Sequence, residues 1–105
     1  MPDDNPPLPE VNRLIHEPAR LAILTILSTC KSADFLFLQS ATGLSKGNLS
    51  VQISRLEGAG LVEVEKSLRR KKTLTTISLN RRGRNEIARY WLTMEKIRKQ
   101  ASPAR

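Results

Sequence analysis

The sequence predicts a mainly α-helical domain that carries one small β-hairpin and closes on a further helix. Apolar residues recur at helical spacing over most of the chain between residues 11 and 59. The period then changes to strand-like alternation on both sides of a basic stretch, over residues 61–66 and 73–79. Helical spacing returns from about residue 80, and the length of 105 residues suits one domain.

The ends of the chain differ in composition from its middle. Residues 1–10 contain four prolines, which fix an extended backbone and remove hydrogen-bond donors. We therefore predict a flexible tail over residues 1–10, a folded domain over residues 11–99, and a second flexible tail over residues 100–105. Since the core of so small a domain is thin, a partner subunit is expected.

Two helices are predicted in the first half of the domain. The first spans about Val11 to Thr29, and Pro18 is expected either to kink it or to start it afresh. After a polar break at residues 31–34, a short second helix runs from about Asp34 to Thr42. Asp34 or Ser32 caps it and Gly43 ends it. Its apolar residues expected in the core are Phe35, Leu36 and Leu38.

The second half begins with a third helix, from its cap at Ser45 to about Ala59, which Gly60 ends. Two strands then flank the turn at Arg69–Lys72 and form a β-hairpin. Asn80 caps the last helix, which runs to about Lys99.

The charge is strongly asymmetric along the chain. The net charge is +8, yet residues 1–45 hold three basic and five acidic side chains, whereas residues 46–105 hold fifteen basic and five acidic ones. The stretch Lys66–Arg84 has eight basic residues and no acidic one. Such a balance favours polyanionic partners, either nucleic acid or an anionic membrane surface. With neither a signal peptide nor an apolar run of membrane-spanning length, we expect a cytoplasmic protein with no membrane partner.

The residues that support catalysis or metal binding are scarce. Cys30 and His16 are the single cysteine and the single histidine. No disulfide within the chain and no Cys/His metal cluster can therefore form. We expect His16 to be a surface or capping residue and Cys30 to be half-buried. Without a nucleophile–base set or a phosphate-binding loop, the sequence predicts no metal, no cofactor and no enzymatic activity.

The second and third predicted helices, joined at Gly43, form a helix-turn-helix candidate, in which the second helix of the unit enters the major groove. On the third helix one side is apolar and is expected to face the core through Leu49, Ile53 and Leu56. The opposite side is small, polar or basic, with flanking polar residues: Gly47, Asn48, Ser50, Val51, Gln52, Ser54 and Arg55.

Each outward residue type suits contact with DNA. Asn48 and Gln52 carry amides that pair with adenine, and Arg55 reaches guanine or a phosphate. Val51 suits a thymine methyl group, while Gly47 leaves room for close approach. Ser45 caps a helix end whose free amides favour phosphate. The alternative is an ordinary surface helix.

The basic residues of the hairpin are expected to act beside this helix. Arg69, Arg70, Lys71 and Lys72 would contact phosphates or enter the minor groove. Three more arginines open the last helix, where cations oppose the helix dipole, so that they serve either phosphates or the solvent. These three are Arg81, Arg82 and Arg84.

The last helix carries an apolar stripe over three turns. We expect this stripe to form a dimer interface, and the alternative is that it packs on its own domain. A two-fold dimer would place two recognition helices one DNA turn apart. The interface residues predicted here are Ile87, Tyr90, Trp91, Met94 and Ile97.

Four segments together resemble the compact winged-helix transcriptional regulators related to the MarR and ArsR families. They are Asn12–Leu24, Asp34–Leu38, Thr42–Ser50 and Leu56–Val62. The resemblance implies a homodimeric regulator that binds operator DNA. It places Ser45, Lys46, Asn48, Ser50, Gln52 and Arg55 at the DNA. The metal-binding cysteines of ArsR-like sensors and the Asp-x-Arg wing pattern common in MarR-like proteins are absent.

The sequence therefore favours a homodimeric, sequence-specific regulator bound to double-stranded DNA. Two alternatives stay open. One is a winged helix used for RNA or protein interaction, because the fold alone does not fix function. The other is a nonspecific chromosome-associated DNA-binding protein, which the +8 charge permits.

Overall fold

Helices and short strands follow one another in the order that the sequence predicts, with one additional strand. The structure is a computed structural model and describes residues 7–102, so residues 1–6 of the predicted tail 1–10 and residues 103–105 of the predicted tail 100–105 lie outside it. The elements are α1 (Pro18–Leu27), β1 (Ala33–Asp34), α2 (Phe35–Thr42), α3 (Lys46–Gly58), β2 (Val62–Arg69), β3 (Lys72–Leu79) and α4 (Arg81–Ala101).

The sheet has three antiparallel strands in the order β1-β3-β2. The predicted hairpin is confirmed, and its pairing runs from Val62 opposite Leu79 out to Arg69 opposite Lys72. Strand β1 corrects the predicted polar break, because Ala33 is buried and pairs with Ile77 on the far side of β3. This pairing joins the start of α2 to the hairpin.

Helix α1 is shorter than predicted. It starts afresh at Pro18, with the Glu17 carboxylate accepting a hydrogen bond from the Arg20 amide. A proline at the first helical position loses no helical hydrogen bond, which is why the helix begins there. The preceding segment forms turns, in which the His16 amide donates to the Asn12 carbonyl at 2.8 Å. The helical prediction for residues 11–17 is therefore wrong.

Helix α2 is held at both ends by local signals. Asp34 caps it by accepting from the Phe37 amide at 2.7 Å, and Gly43 ends it in the left-handed conformation with φ of 72°. Leu38 is fully buried and Phe35 is partly buried against the core, as predicted. The expectation for Leu36 is wrong, since it is 75% exposed. In so short a helix the 100° turn between neighbouring residues carries Leu36 to the outer side.

Asn80 joins three elements. Its Oδ1 caps α4 by accepting from the Gly83 amide at 2.7 Å, and its Nδ2 donates to the Gly60 carbonyl at 2.8 Å, just beyond α3. Its backbone amide donates to the Leu61 carbonyl at 3.2 Å. At Gly83 a Cβ atom would lie 2.0 Å from the Leu61 carbonyl oxygen, so this close crossing requires glycine.

A single apolar core lies between the helices and the sheet, and α4 closes it with Ile87 and Tyr90. Helix α4 extends to Ala101, beyond its predicted end at Lys99. Over residues 7–102, no helix combines the length and the apolar character needed to cross a membrane. The largest fully buried side chains are Ile15, Ile23, Leu24, Leu27, Leu38, Leu49, Leu56 and Ile77.

Candidate nucleic-acid interface

Helix α3 divides into a buried side and an exposed side, as the sequence predicts. Leu49, Ile53 and Leu56 are buried in the core. Ser45 caps the helix, its Oγ accepting from the Asn48 amide at 3.1 Å. The exposed side is small, polar or basic, apart from Val51, which is 50% exposed, and the acidic Glu57 near the end of the helix. The predicted site residues on this side are Lys46, Gly47, Asn48, Ser50, Val51, Ser54 and Arg55.

Gln52 departs from its predicted orientation. Its side chain is turned inward and is only 9% exposed. Its Oε1 accepts a hydrogen bond from Arg20 Nη1 at 2.8 Å, and its Nε2 donates to Asn48 Oδ1 at 3.0 Å. The outward face predicted for Gln52 is wrong because the buried guanidinium of α1 needs an acceptor at this point.

Arg20 is the partner that sequence reasoning missed. It is 9% exposed, and its Nε donates to the Leu14 carbonyl at 2.5 Å. Its Nη1 also lies 3.9 Å from Glu17 Oε1. A buried charge is tolerated when it is paired and hydrogen-bonded, and here three groups share the task. The available signal was an arginine directly after Ala19 on the buried side of α1.

The hairpin ends in a tight turn of unusual composition. Because Arg69 pairs with Lys72, only Arg70 and Lys71 lie between the strands. Both have positive φ, at 52° and 65°, as in a type I′ turn. That turn normally uses asparagine and glycine, whereas here two long cations adopt it. All four basic residues of the tip are exposed.

The two strands of the hairpin are long enough to carry its tip far from the core. Each strand has eight residues, and a rise of about 3.3 Å per residue puts the tip roughly 23 Å from the Val62–Leu79 pair. This reach is about twice the width of a major groove, which is roughly 12 Å. The hairpin is therefore long enough to span the width of a major groove.

A cleft of about 500 Å³ separates α3 from the hairpin. Lys66 lines it and is a candidate that the sequence-based site omitted. Strand alternation could have found it, since Lys66 lies two residues beyond Val64, which also lines the cleft. Asp34 and Glu57 line the cleft as well. The basic and hydroxyl-bearing side chains that line it from the two elements are Lys46, Ser50, Ser54, Lys66, Thr73 and Thr75.

The arginines that open α4 are exposed, but one of them serves its own fold. Arg84 Nη2 donates to the Cys30 carbonyl at 3.0 Å. This bond ties the start of α4 to the end of the α1 region. Arg81 and Arg82 are exposed on the first turn of α4.

The stripe on α4 splits between the core and the surface. Ile87 and Tyr90 are each 3% exposed, and the Tyr90 hydroxyl lies 2.8 Å from His16 Nδ1. Their assignment to a dimer interface is therefore wrong, because they already pack in their own domain. Trp91 is 47% exposed and stands edge-on to Tyr90, with ring centroids 5.1 Å apart. Leu92, which is 67% exposed, lies off the predicted stripe and was missed.

The two remaining stripe residues, Met94 and Ile97, are partly buried. Met94 packs against the edge of the core. At the end of the helix, Gln100 Nε2 donates to the Pro7 carbonyl at 3.2 Å. The N-terminal segment from Pro7 thus meets the last turn of α4.

Known proteins share this architecture. An uncharacterized protein from Methanocaldococcus jannaschii is 28% identical over 78 residues, which cover 74% of this chain and 85% of that protein. The structure of a transcriptional regulator homologue from Pyrococcus horikoshii superposes with a TM-score of 0.81 at 25% identity, covering 88% of this chain and 91% of the other. A MarR-family transcriptional regulator from Silicibacter pomeroyi gives a TM-score of 0.65 at 21% identity, over 87% of this chain and 63% of that one.

These likenesses agree with the winged-helix fold that the four sequence segments indicate. Residues 19–98, from α1 through most of α4, match the family described as winged helix DNA-binding domain. In that fold the helix at the position of α3 is called the recognition helix, and the hairpin at the position of β2–β3 is called the wing. The chain belongs to the winged helix DNA-binding domain family.

Proposed function

We propose that this protein is a transcriptional regulator that binds specific sites on double-stranded DNA as a homodimer. The observation that carries the proposal is the joint surface made by the exposed side of α3 and the basic wing. Lys46, Ser50 and Ser54 of α3 face Lys66 of the wing across one cleft. A duplex seated on α3 would bring its phosphates to this cleft and to the wing tip.

Helix α3 is the element that would read the bases. Its small outer side chains allow the backbone to lie deep in the major groove, and Gly47 has nothing within 4 Å of its Cβ position. Arg55 suits guanine and the half-exposed Val51 suits a thymine methyl group. Specificity would come from these contacts, with Asn48, Ser50 and Ser54 beside them.

The wing would supply affinity rather than specificity. Phosphate contacts position a protein on the duplex without reading sequence, and arginines that enter the minor groove read mainly its width. Arg69, Arg70, Lys71 and Lys72 cluster at an exposed tip. Removing them should weaken binding to all sequences alike.

Two copies would meet through α4. Trp91 and Leu92 leave apolar surface open to solvent on this helix, with the half-buried Met94 and Ile97 nearby. Aromatic residues dominate the energetic centres of protein interfaces, which favours Trp91 as the anchor. A two-fold axis through α4 would set the two α3 helices on half-sites about 34 Å apart.

Selection of bound duplexes from a random library, followed by affinity measurements over a range of salt concentrations, tests the proposal. We expect enrichment of a two-fold symmetric site and a steep fall of affinity with salt. Equal affinity for selected and random duplexes would show a nonspecific DNA-coating protein. Tighter binding to structured RNA than to duplex DNA would show an RNA-binding module.

A further inference from the structure

We propose that Arg20 orients the side-chain amides of Gln52 and Asn48 through a hydrogen-bond relay, so that the amino group of Asn48 faces DNA. Asn48 would then recognise hydrogen-bond acceptors on a base edge, and Arg20 would be a positioning residue for that recognition. The proposal rests on the proposed DNA-reading role of α3.

The chemistry of the guanidinium sets the direction. Arginine carries only donors, so the Gln52 atom that lies 2.8 Å from Arg20 Nη1 is the carbonyl oxygen. The amino group of Gln52 therefore points the other way, where it lies 3.0 Å from Asn48. An amino group cannot accept, so the Asn48 atom that it meets is Oδ1. One arginine thus determines the orientation of two amides.

Burial holds the relay in this state. Arg20 and Gln52 are each 9% exposed, so water has little access to replace either partner. Arg20 is also anchored by its Nε bond to the Leu14 carbonyl at 2.5 Å and by the nearby Glu17 carboxylate at 3.9 Å. Reversing the Gln52 amide would set its amino group against the guanidinium and leave a buried donor unpaired, which is unfavourable.

The outward end of Asn48 is then a donor. Asn48 is exposed, and no other side chain in residues 7–102 accepts from its Nδ2. Pairing with adenine requires the oxygen and the amino group of an asparagine at the base edge together. Here one lone pair of Oδ1 already accepts from Gln52 Nε2, so the amino group is the end of Asn48 left without a side-chain partner among residues 7–102. We infer that Asn48 selects an acceptor, such as guanine O6 or N7 or thymine O4, in place of the adenine pairing that the sequence suggested.

The substitution Gln52→Glu reverses the relay without removing the partner of Arg20. The introduced carboxylate still accepts from Arg20, but it has no proton to give to Asn48. The Asn48 amide must therefore turn and donate to it, so that Oδ1 faces outward. Asn48 would then favour a base donor, such as the amino group of cytosine or adenine.

Hydrogen exchange of the side-chain amides, followed by NMR on the full chain without DNA, tests the relay itself. In the wild type we expect the Gln52 amino protons to exchange several-fold more slowly than those of Asn48. In Gln52→Glu the Asn48 amino protons should become the protected ones. Protected Asn48 amino protons in the wild type would overturn the proposal, whether or not the protein binds DNA.

Modified duplexes then test recognition. The position read by Asn48 is the one whose base preference is lost in Asn48→Ala. Removing the acceptor there, for example guanine N7 with 7-deazaguanine, should weaken wild-type binding about tenfold, which corresponds to about 1.4 kcal/mol. At an adenine, removal of the 6-amino group should change nothing. Loss of affinity on removal of that amino group would show pairing with adenine and refute the donor assignment.

The two experiments separate the relay from the proposed function. Because Gln52→Glu adds a negative charge that weakens binding to every duplex, its base preference is compared as a ratio between matched duplexes. This ratio should move from acceptor-bearing to donor-bearing bases. If no duplex is preferred by any variant, the proposed specificity fails while the exchange result still decides the relay.

Discussion

The wing tip offers a prediction in which stability and binding move in opposite directions. Arg70 and Lys71 occupy left-handed backbone, with φ of 52° and 65°. Replacing them by Arg70→Asn with Lys71→Gly installs the pair that a type I′ turn favours. We expect this variant to be more stable than the wild type and to bind DNA more weakly.

The expected gain in stability follows from the two backbone conformations. The left-handed backbone conformation costs a residue with a Cβ roughly 1–2 kcal/mol of folding free energy, and it costs asparagine less because asparagine tolerates that region. Glycine adopts this conformation freely, but it destabilises the folded state by about 0.5–1 kcal/mol because the unfolded chain gains conformational entropy. A net gain of about 1–2 kcal/mol remains. For a domain of this size each kcal/mol raises the Tm by about 4–8 °C.

The expected loss of binding follows from charge. Each phosphate that a cation neutralises contributes about 0.9 to the slope of log affinity against log salt. If both side chains contact phosphates, the slope should become shallower by about 1.8. Thermal unfolding by circular dichroism at fixed protein concentration measures the first effect. Fluorescence anisotropy with duplex DNA over a salt series measures the second.

Two matched variants separate the causes. Arg70→Ala with Lys71→Ala removes the same charge without relieving the backbone, so binding should weaken with no gain in Tm. Arg89→Ala with Lys96→Ala removes two exposed cations from α4 and should leave the salt slope unchanged. An unchanged or lower Tm in the asparagine–glycine variant would refute the strain argument. An unchanged salt slope would refute the assignment of the tip to phosphates.

The remaining predictions concern packing and assembly. Gly83→Ala should destabilise the fold by about 1–3 kcal/mol in urea unfolding, because its Cβ would lie 2.0 Å from the Leu61 carbonyl oxygen. Gly58→Ala, where nothing lies within 4 Å, should instead stabilise by up to about 1 kcal/mol, and equal effects at the two glycines would contradict the close crossing. Trp91→Ala should shift sedimentation from dimer towards monomer while the helix content stays the same. A monomeric wild type at micromolar concentration would remove α4 from the proposed assembly.

The parts of the fold that could be predicted from sequence are those written in local signals. Ser45 and Asn80 are predicted as caps, as is Asp34 with Ser32 as its alternative, and each of the three accepts the expected backbone hydrogen bond. Capping involves residues only two or three positions apart, so it can be recognised in the sequence. Gly43 was predicted as a terminator for the same reason, and its positive φ agrees.

The parts that could not be predicted depend on distant partners. Strand β1 has two residues and exists only because Ala33 meets Ile77, which lies 44 positions later. Helical periodicity placed Gln52 beside the outward face, but a buried arginine 32 residues earlier turns it inward. A pattern along one helix carries no information about such a partner.

The candidate interface also has parts that sequence patterns predict and parts that depend on distant partners. The exposed side of α3 and the basic tip followed from periodicity and charge, and both are exposed as expected. On α4 the stripe was correct as an apolar face, yet Ile87 and Tyr90 are covered by the domain itself. Periodicity finds an apolar face but does not say which neighbour covers it.

The contacts of Asn80 have a consequence for the spacing between operator half-sites that the proposed homodimer would accept. One side chain fastens the exit of α3 through Gly60 to the first turn of α4 through Gly83. In the proposed homodimer, α4 joins the copies. The Asn80 amide would therefore fix the orientation of each α3 relative to the dimer axis. Loosening it, as in Asn80→Ala, would leave every base contact in place but would let the protein accept half-sites at altered spacing. The range of half-site spacings that the protein accepts would then depend on Asn80, which lies outside the surface that touches DNA.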